Sequence, residues 1–343
     1  MRKTRVSING LGRIGRAFFK LAQYKKDEIE IVAINDLGDI ENLAYLLKYD
    51  SVYGRYQGEV STKDGNLVVD GKEFKILQEK DPSKLPWRDL NIDVALESTG
   101  VFASFEKSQA HLDAGAKRVV ISAPVKDKPK EGIVGATVLM GVNEDKLKVC
   151  DISSNASCTT NAGGPVMQIL EESVGVDKAL LNTIHGYTAS QNLVDGPNKK
   201  IRRGRAGAVN IIPSSTGSAI ATTKAIASLE NKFDGIALRV PVLSGSIADI
   251  TFVSKKNTSV QEINDIFRKA AKDERWKGIF TVSDEPIVSS DIIGNTHASI
   301  IDLEYTRVIG GNLVKVLAWY DNEIGYTNTL LRHIIETGKH IKN

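Results

Sequence analysis

The stretch Val6-Ser-Ile-Asn-Gly10-Leu-Gly12-Arg-Ile-Gly15 joins a short apolar run to the glycine spacing G-x-G-x-x-G. A strand is predicted over residues 6–9 before the glycines and a helix over 14–24 after them, and Asp36 ends the next predicted strand. In this order the glycines permit a tight turn, a close approach of the backbone to a pyrophosphate, and close helix–strand packing. The stretch therefore predicts a Rossmann-type dinucleotide site at the start of the first helix.

Asp36 decides which dinucleotide is expected. A carboxylate at the end of the second strand accepts hydrogen bonds from the ribose hydroxyls of the adenosine half and repels a 2′-phosphate, so NAD is favoured over NADP. The alternative reading is that Asp36 is only a turn residue within Asn35-Asp-Leu-Gly38.

Predicted strands and helices alternate through the first half of the chain. This alternation is typical of an α/β domain with a mainly parallel sheet. Asp39 is expected to cap the second helix. The predicted strands are 6–9, 30–35, 67–69, 72–76, 94–97 and 119–122, and the predicted helices are 14–24, 40–48 and 105–114.

The second half is richer in strands. Runs of strands with few helices between them predict an α+β domain with a mainly antiparallel sheet. The predicted strands are 179–184, 235–240, 248–254, 299–302, 306–310 and 313–319, and the predicted helices are 161–174, 218–229, 260–273 and 327–339.

Composition narrows the class of protein. The 343 residues carry a net charge of only +3, which gives no reason to expect nucleic acid or a membrane surface as the main partner. No apolar run approaches the roughly 20 residues of a spanning helix, and the N-terminus leaves no room for a signal peptide before the first strand. The two cysteines do not form C-x-x-C, so neither a disulfide framework nor a metal site is expected. We expect a cytoplasmic protein whose thiols stay free.

Cys158 is the candidate nucleophile. It lies in Ser154-Asn-Ala-Ser-Cys-Thr-Thr-Asn161, where a polar loop runs into a predicted helix. Unpaired N–H groups at a helix start lower the pKa of a thiol and can donate to an oxyanion. The alternative is a buried, inert cysteine, which is our interpretation of Cys150 in its apolar surroundings.

A nucleophilic thiol needs a base, and histidine suits neutral pH. His185 ends an apolar run and precedes Gly186-Tyr-Thr188, so it is predicted to lie at a strand end. The residues alone do not separate His185 from His297 as the base, because the pairing is spatial.

At this point the motifs resemble a known family. The glycine motif, the cysteine motif 154–161, His185–Thr188, Ser214–Gly217, Leu238–Pro241 and the final motif Trp319–Tyr326 occur in the order seen in phosphorylating glyceraldehyde-3-phosphate dehydrogenases. The similarity extends over nearly the whole chain, and the cysteine and Trp319–Tyr326 motifs are its most specific parts. It implies NAD-dependent oxidation of D-glyceraldehyde 3-phosphate with inorganic phosphate to 1,3-bisphosphoglycerate, through a hemithioacetal and a thioester on Cys158.

The resemblance also implies an organisation and a set of site residues. It implies an NAD-binding domain over 1–157 plus 321–343, a catalytic domain over 158–320, and a homotetramer. Cys158 and His185 are the implied catalytic pair. The implied inorganic-phosphate site is Ser157, Thr159, Thr216 and Gly217, and the implied site for the substrate phosphate is Thr188 and Arg239, with Arg203 nearby. The implied cofactor contacts, with the glycines of the fingerprint, are Gly10, Gly12, Arg13, Ile14, Gly15, Asp36, Lys80, Ser122 and Asn322.

Other readings remain open on the residues alone. Arg239 could be a salt-bridge residue, and Thr216-Gly217 an ordinary helix cap. Ser190 replaces an acidic residue found in many bacterial members of the family, and its role is left open. The competing functions are erythrose-4-phosphate dehydrogenase, aspartate-semialdehyde dehydrogenase, and a non-catalytic redox-sensing or RNA-binding relative.

Overall fold

The computed structural model describes residues 2–341, which form two compact units. The first unit comprises the described residues up to Val138, Glu144–Ala156, and the chain from Leu330 onward; the second comprises Leu139–Asn143 and Ser157–Thr329. This division differs from the expected domain boundaries at residues 139–143, at Ser157 and over residues 321–329. Met1, Lys342 and Asn343, which the expected first domain includes, lie outside the described residues. In the described part of the chain, no helix is long and apolar enough to cross a membrane.

The first unit alternates strands and helices as predicted. Its helices are α1 (Arg13–Ala22), α2 (Ile40–Lys48) and α3 (Phe105–Asp113). Its strands are β1 (Thr4–Asn9), β2 (Ile29–Asn35), β3 (Tyr49–Asp50), β4 (Gly54–Arg55), β5 (Val60–Lys63), β6 (Asn66–Val69), β7 (Lys72–Leu77), β8 (Val94–Glu97), β9 (Arg118–Ile121), β10 (Gly135–Thr137) and β11 (Ile152–Ser154).

The main sheet of this unit has the order β10-β11-β9-β8-β1-β2-β7-β6-β5. Every pair from β10 to β7 is parallel, and β5, β6 and β7 form an antiparallel edge. The central strands are apolar because both faces of a parallel sheet are covered; Val6, Ile8, Val94 and Leu96 are fully buried. The carboxyl ends of β1, β2 and β8 therefore meet at one edge of the sheet, as in other Rossmann-type folds.

The second unit is built on a seven-stranded sheet. Its strands are β12 (Val176–Gly186), β13 (Ile212–Ser215), β14 (Phe233–Val240), β15 (Ser246–Ser254), β16 (Phe280–Ser283), β17 (Ser299–Ile309) and β18 (Leu313–Tyr320). The helices are α4 (Cys158–Ser173), α5 (Ser218–Ala225), α6 (Val260–Ala270) and α7 (Ile324–Lys339), the last of which continues into the first unit.

The order of this sheet is β13-β14-β12-β15-β18-β17-β16, and it is mainly antiparallel. Two pairs, β12 with β14 and β16 with β17, are parallel. The predicted fold class, a Rossmann-type domain plus an α+β domain with a mainly antiparallel sheet, is confirmed. Burial alternates along β15, so one face of the sheet packs on a core that includes Met167 and Leu170 of α4.

Some predicted bounds are wrong. The predicted strands 299–302 and 306–310 form one strand, β17, whose register shifts between Asp302 and Arg307. The helix predicted at 161–174 begins at Cys158, because Ser157 caps it by accepting a hydrogen bond from Thr160 N at 3.1 Å. The predicted helix 218–229 ends at Ala225 and continues as a short 3₁₀ turn.

Candidate active site

The glycine fingerprint opens a pocket of about 330 Å³ within the first unit. Four of the predicted cofactor residues line it together with the ends of β1, β2 and β8. The lining is Asn9, Gly10, Gly12, Asn35, Asp36, Leu37, Glu79, Lys80, Pro82, Ser98, Thr99, Val101 and Phe102. The pocket therefore lies where the sheet's carboxyl edge meets the start of α1.

Each glycine of the fingerprint has a distinct environment. Gly10 has φ +98°, and a Cβ there would lie 2.7 Å from Thr99 N. A Cβ on Gly15 would lie 2.0 Å from Gly10 O, so this position allows the helix to pack closely on the strand. A Cβ on Gly12 would meet nothing within 4 Å, and Gly12 is the N-cap residue of α1, which has no side-chain cap hydrogen bond. The start of α1 thus combines free space at Gly12 with the N–H groups of a helix terminus, which suits a pyrophosphate.

Asp36 is held rigidly at the end of β2. Its Oδ2 accepts from Leu11 N at 2.6 Å and its Oδ1 accepts from Gly38 N at 2.8 Å. Each carboxylate oxygen retains acceptor capacity for a ribose hydroxyl. The carboxylate is therefore both a turn anchor and an acceptor for a ligand in the pocket.

Other predicted cofactor residues lie outside the pocket lining. Arg13 Nη1 donates to Asp50 Oδ2 at 2.9 Å, and its guanidinium lies over the Tyr53 ring. Ile14 is in the first turn of α1, and Ser122 follows β9 and donates its N–H to Glu97 O. A direct ligand contact of any of these three residues stays a prediction.

Asn322 belongs to the second unit, just after β18. Its Oδ1 accepts from Gly245 N at 3.1 Å and from Ser246 Oγ at 2.9 Å. Because a backbone N–H can only donate, these contacts fix the orientation of the amide. The N–H₂ group is then the part of Asn322 that can reach a ligand carbonyl.

The candidate nucleophile and base lie together in the second unit. Cys158 is the first residue of α4, and its Sγ lies 3.3 Å from His185 Nε2. His185 is buried near the end of β12, which agrees with the strand-end position that its apolar run predicts. His297, the other candidate, instead places Nδ1 at 3.1 Å from Asn295 Oδ1. The geometry therefore selects His185.

The surroundings of the imidazole set its tautomer. Nδ1 lies 2.6 Å from Gly186 O, an atom that can only accept, so Nδ1 carries the proton. Arg239 Nη1 lies 2.8 Å from Nδ1 and 3.1 Å from Gly186 O. In the tautomer assigned here it donates to that carbonyl, and its approach to Nδ1 is a contact between two donors. The lone pair of Nε2 consequently faces Cys158 Sγ, the arrangement a general base requires.

The protonation of the pair differs from the expectation. A helix start was expected to lower the pKa of the Cys158 thiol, but burial raises it, although Arg239 and Thr159 act in the opposite direction. Burial, followed by the charges of Arg239 and Arg203, lowers the pKa of His185 to about 3. Desolvation disfavours the charged form of both groups. The free site accordingly holds a neutral thiol against a neutral imidazole that is ready to accept its proton.

Two guanidinium groups approach this pair. Arg239 lies opposite His185 in the parallel register of β14 and β12. Arg203 donates to Ser214 Oγ at 2.9 and 2.8 Å and to Ser190 Oγ at 3.0 Å. Neither guanidinium forms an ion pair with a carboxylate among residues 2–341, and the buried Nε of Arg239 has no hydrogen-bond partner there. Burial and then the charge of Arg239 lower the pKa of Arg203, so an anion would stabilise both guanidinium groups.

We expect Arg239→Gln to raise the pKa of both Cys158 and His185. The guanidinium stabilises a thiolate and destabilises an imidazolium, so its removal makes both groups hold protons more tightly. The pH profile for alkylation of Cys158 by iodoacetamide should shift to higher pH. Arg239→Lys, which keeps the charge, should shift it less. Superimposable profiles for Arg239→Gln and the wild type would contradict this prediction.

The side-chain hydroxyl groups of the predicted phosphate sites lie within hydrogen-bond distance of other hydroxyl groups. Ser157 Oγ lies 2.7 Å from Thr160 Oγ1, and Thr159 Oγ1 lies 2.9 Å from Tyr320 OH. Thr188 Oγ1 is 2.8 Å from Ser190 Oγ, which also accepts from Arg203. Ser190, whose role the sequence left open, thus links the Thr188 hydroxyl to the Arg203 guanidinium by hydrogen bonds.

The Thr216-Gly217 turn begins α5. Thr216 Oγ1 accepts from Ser218 N at 3.1 Å, and Gly217 has free space where a Cβ would lie. Gly217, not Thr216, is the N-cap residue of α5, and this helix has no side-chain cap hydrogen bond. The exposed backbone of Gly217 leaves the turn accessible to an anion.

Tyr320 is a site residue that sequence reasoning did not single out. Its buried OH lies 2.9 Å from Thr159 Oγ1 and 2.7 Å from Thr183 Oγ1, and its ring makes an edge contact with the His185 ring. Burial raises the pKa of Tyr320, so it remains a neutral phenol. Its position inside the motif Trp319–Tyr326 was the only sequence signal for it.

No cluster of three or more His, Cys, Asp or Glu side chains suited to a metal occurs in the described part of the chain.

Comparisons with known proteins match both halves of the chain to the same family. The family model described as "Glyceraldehyde 3-phosphate dehydrogenase, NAD binding domain" matches residues 4–105, and the one described as "Glyceraldehyde 3-phosphate dehydrogenase, C-terminal domain" matches residues 157–322. Three similar curated proteins are named glyceraldehyde-3-phosphate dehydrogenase. The protein from Thermotoga maritima is 50% identical over 95% of this chain and 97% of its own. Those from Mycobacterium avium and Streptomyces coelicolor are 48% and 44% identical, and each match covers at least 98% of both chains.

Proposed function

This chain belongs to the glyceraldehyde-3-phosphate dehydrogenase family, and from that membership we propose that it oxidises D-glyceraldehyde 3-phosphate with NAD and inorganic phosphate, giving 1,3-bisphosphoglycerate. The observation that carries the proposal is the 3.3 Å approach of Cys158 Sγ to His185 Nε2, beside two guanidinium groups that have no carboxylate partner in the described part of the chain. An aldehyde phosphate and an inorganic phosphate each need an anion site, and guanidinium groups together with hydroxyl-bearing loops can provide them. Nothing in the matched models or relatives supports the competing functions.

Cys158 and His185 carry the first chemical step. As Sγ bonds to the aldehyde carbon, the thiol proton passes to His185 Nε2, and the imidazolium returns it to the aldehyde oxygen to give a hemithioacetal. His185 then takes the hydroxyl proton as the carbon loses its hydride, which leaves a thioester on Sγ. The backbone N–H groups at the start of α4 are suited to stabilising the developing oxyanion.

Bound NAD supplies the hydride acceptor. The residues that fit it are the pocket-lining Gly10, Gly12, Asp36 and Lys80 in the first unit, where the open space at Gly12 suits a pyrophosphate. Asn322 is the proposed donor to the nicotinamide carboxamide through its N–H₂ group.

The second step regenerates the enzyme. Inorganic phosphate attacks the thioester carbon, the C–S bond breaks, and the acyl phosphate is released while Cys158 recovers its proton from the imidazolium of His185. We assign inorganic phosphate to Ser157, Thr159, Thr216 and Gly217, and the phosphate of the substrate to Thr188 and Arg239. Arg203, held by Ser190 and Ser214, serves as the neighbouring cation.

The deciding experiment follows NADH formation by purified protein with glyceraldehyde 3-phosphate and NAD, with and without phosphate. Sustained turnover only with phosphate is expected. A burst of about one equivalent per Cys158 even in the presence of phosphate would mean acylation without phosphorolysis, and the proposed acceptor would be wrong. Turnover with erythrose 4-phosphate or aspartate semialdehyde alone would favour those competing functions.

We expect Asp36→Asn to lower the preference for NAD over NADP. The variant loses a charged acceptor for the ribose hydroxyls and the repulsion of a 2′-phosphate, so the ratio of kcat/KM values should fall about 10- to 100-fold. Asp39→Asn is the matched control, because it removes the same charge nearby while asparagine still caps α2. An unchanged ratio in Asp36→Asn would contradict the assigned role of the carboxylate.

We propose that the enzyme acts as a homotetramer in the cytoplasm. One face of the second unit's sheet leaves apolar side chains uncovered, among them Leu180 at 65% exposed and Ile236 at 55% exposed. Exposed apolar surface of this kind marks interfaces between chains, and sedimentation in solution tests the number of copies. A reducing compartment suits a catalytic thiol that must remain unoxidised.

A further inference from the structure

A buried imidazole in the last helix contacts the strand that leads to the nucleophile. His333 lies in α7 and is 0% exposed. Its Nε2 lies 2.7 Å from Ser153 Oγ, and its Nδ1 lies 3.1 Å from Asn155 Oδ1. Ser153 is in β11 and Asn155 follows that strand, three residues before Cys158 in the sequence. The proposed reaction gives this imidazole no part.

The partners of His333 fix its tautomer. A side-chain carbonyl oxygen can only accept, so Nδ1 donates to Asn155, and Nε2 then accepts from the hydroxyl of Ser153. Burial lowers the pKa of His333 to about 3, so the ring is neutral throughout the physiological range. Both ring nitrogens of His333 are therefore hydrogen-bonded, Nδ1 to Asn155 and Nε2 to Ser153, while the ring stays neutral.

The backbone beside Asn155 is held in an unfavourable conformation. Ala156 is fully buried and has φ +55°, a region that residues with a Cβ rarely adopt. Ser154 Oγ accepts from Ala156 N at 3.1 Å and donates to Ala123 O at 2.7 Å, while Asn155 N donates to Ile121 O. Strain of this kind persists only where the surroundings over-determine it. The side-chain contact from His333 is one of the constraints that do so.

We propose that His333 is a positioning residue, which donates Nδ1–H to Asn155 and so holds the strained segment 153–156 in the conformation from which the chain enters α4 at Cys158. This inference rests on the proposed role of Cys158 as nucleophile. A segment that relaxed would change the direction in which the chain enters the helix two residues after Ala156. The reactivity of the thiol, and not only the stability of the fold, should therefore depend on the hydrogen bond from His333.

Two substitutions separate the two hydrogen bonds. His333→Asn keeps an amide donor near the position of Nδ1, whereas His333→Gln keeps one near Nε2 and loses the donor to Asn155. Ser153→Ala removes only the contact with Nε2 and is the matched control. The rate of alkylation of Cys158 by iodoacetamide in the full-length apo protein should fall about tenfold in His333→Gln, the scale of one buried hydrogen bond. It should stay within about twofold of wild type in His333→Asn and Ser153→Ala.

The outcomes are distinct. A purely structural role would lower the melting temperature in all three variants and leave the alkylation rate of the folded protein unchanged, which would overturn the proposal. Equal slowing in His333→Asn and His333→Gln would also overturn it, because the effect would then follow packing and not the donor. If His333→Gln does not fold, Asn155→Ala removes the acceptor instead, and a wild-type rate in that variant would overturn the inference.

The failure of this inference is separable from failure of the proposed function. Phosphate-dependent turnover by the wild type that is lost in Cys158→Ala supports the function whatever the His333 variants do. If His333→Gln keeps both its alkylation rate and its kcat, only the positioning role is lost.

Discussion

Replacing Cys158 by alanine should reduce phosphate-dependent NADH formation by roughly 10⁴-fold or more, the range seen when a covalent nucleophile is removed from other enzymes. The reason is that no other described group occupies the position 3.3 Å from His185 Nε2 that the reaction requires of its nucleophile. Without Sγ there is no hemithioacetal and no thioester for phosphate to attack. Steady-state turnover and the mass of the enzyme after mixing with substrate and NAD measure both consequences. An acyl adduct should appear on the wild type and be absent from the variant.

Cys150→Ala is the matched control, since it removes the other thiol of the chain. Cys150 is only 3% exposed, and burial raises the pKa of its thiol to about 11, so it is a poor nucleophile at neutral pH. Turnover should remain close to wild type in this variant. Substantial activity in Cys158→Ala, or its loss in Cys150→Ala, would end the covalent scheme proposed here.

The first unit was predictable because its signals are local. Asp39 and the helix over Ile40–Lys48 appear with the predicted bounds, since an N-cap and an apolar stripe lie within one short segment. The spacing of the glycine fingerprint likewise predicts its local geometry, and the structure has the positive φ at Gly10 and the close helix–strand packing at Gly15. Such features need no knowledge of which distant residues become neighbours.

The start of α4 was missed for a physical reason. The residues from Ser157 to Thr160 continue a polar loop and give no helical pattern, whereas the predicted helix already included the helix breakers Gly163, Gly164 and Pro165. The glycines are required by packing, because a Cβ would lie 3.0 Å from Leu181 Cδ1 at Gly163 and 2.7 Å from Leu139 Cδ1 at Gly164. Tertiary packing thus explains the poor helix formers inside α4. The predicted start fell three residues after the nucleophile because the sequence did not identify Ser157 as the N-cap.

The arrangement around His185 could not be read from the residues. Arg239 is its neighbour only because β12 and β14 pair in parallel, while the sequence pattern predicted mainly antiparallel pairing. The same pairing brings a guanidinium to Nδ1 and thereby contributes to the low pKa of the imidazole. The sequence identified His185 and Arg239 as candidates for the base and the anion binder. Only the register of β12 and β14 shows that the two residues lie in one site.

Removing His185 tests that site most directly. His185→Asn keeps an amide donor for Gly186 O near the position of Nδ1 but leaves no base facing Cys158 Sγ. We expect the rate of the first NADH burst to fall by roughly 10²–10⁴-fold, the usual contribution of a general base. The affinity for NAD should be unchanged, because the pocket at the fingerprint does not include His185. Rapid mixing with substrate and NAD measures the burst, and equilibrium titration measures the affinity.

His297→Asn is the comparison that the residues alone could not settle. In the structure His297 Nδ1 pairs with Asn295 Oδ1, so this variant should keep the burst rate of the wild type. A slow burst in His297→Asn together with a normal burst in His185→Asn would reverse the assignment of the base. A normal burst in both would mean that the thiol proton leaves without either imidazole, and the low pKa of His185 would then reflect burial alone, with no catalytic use.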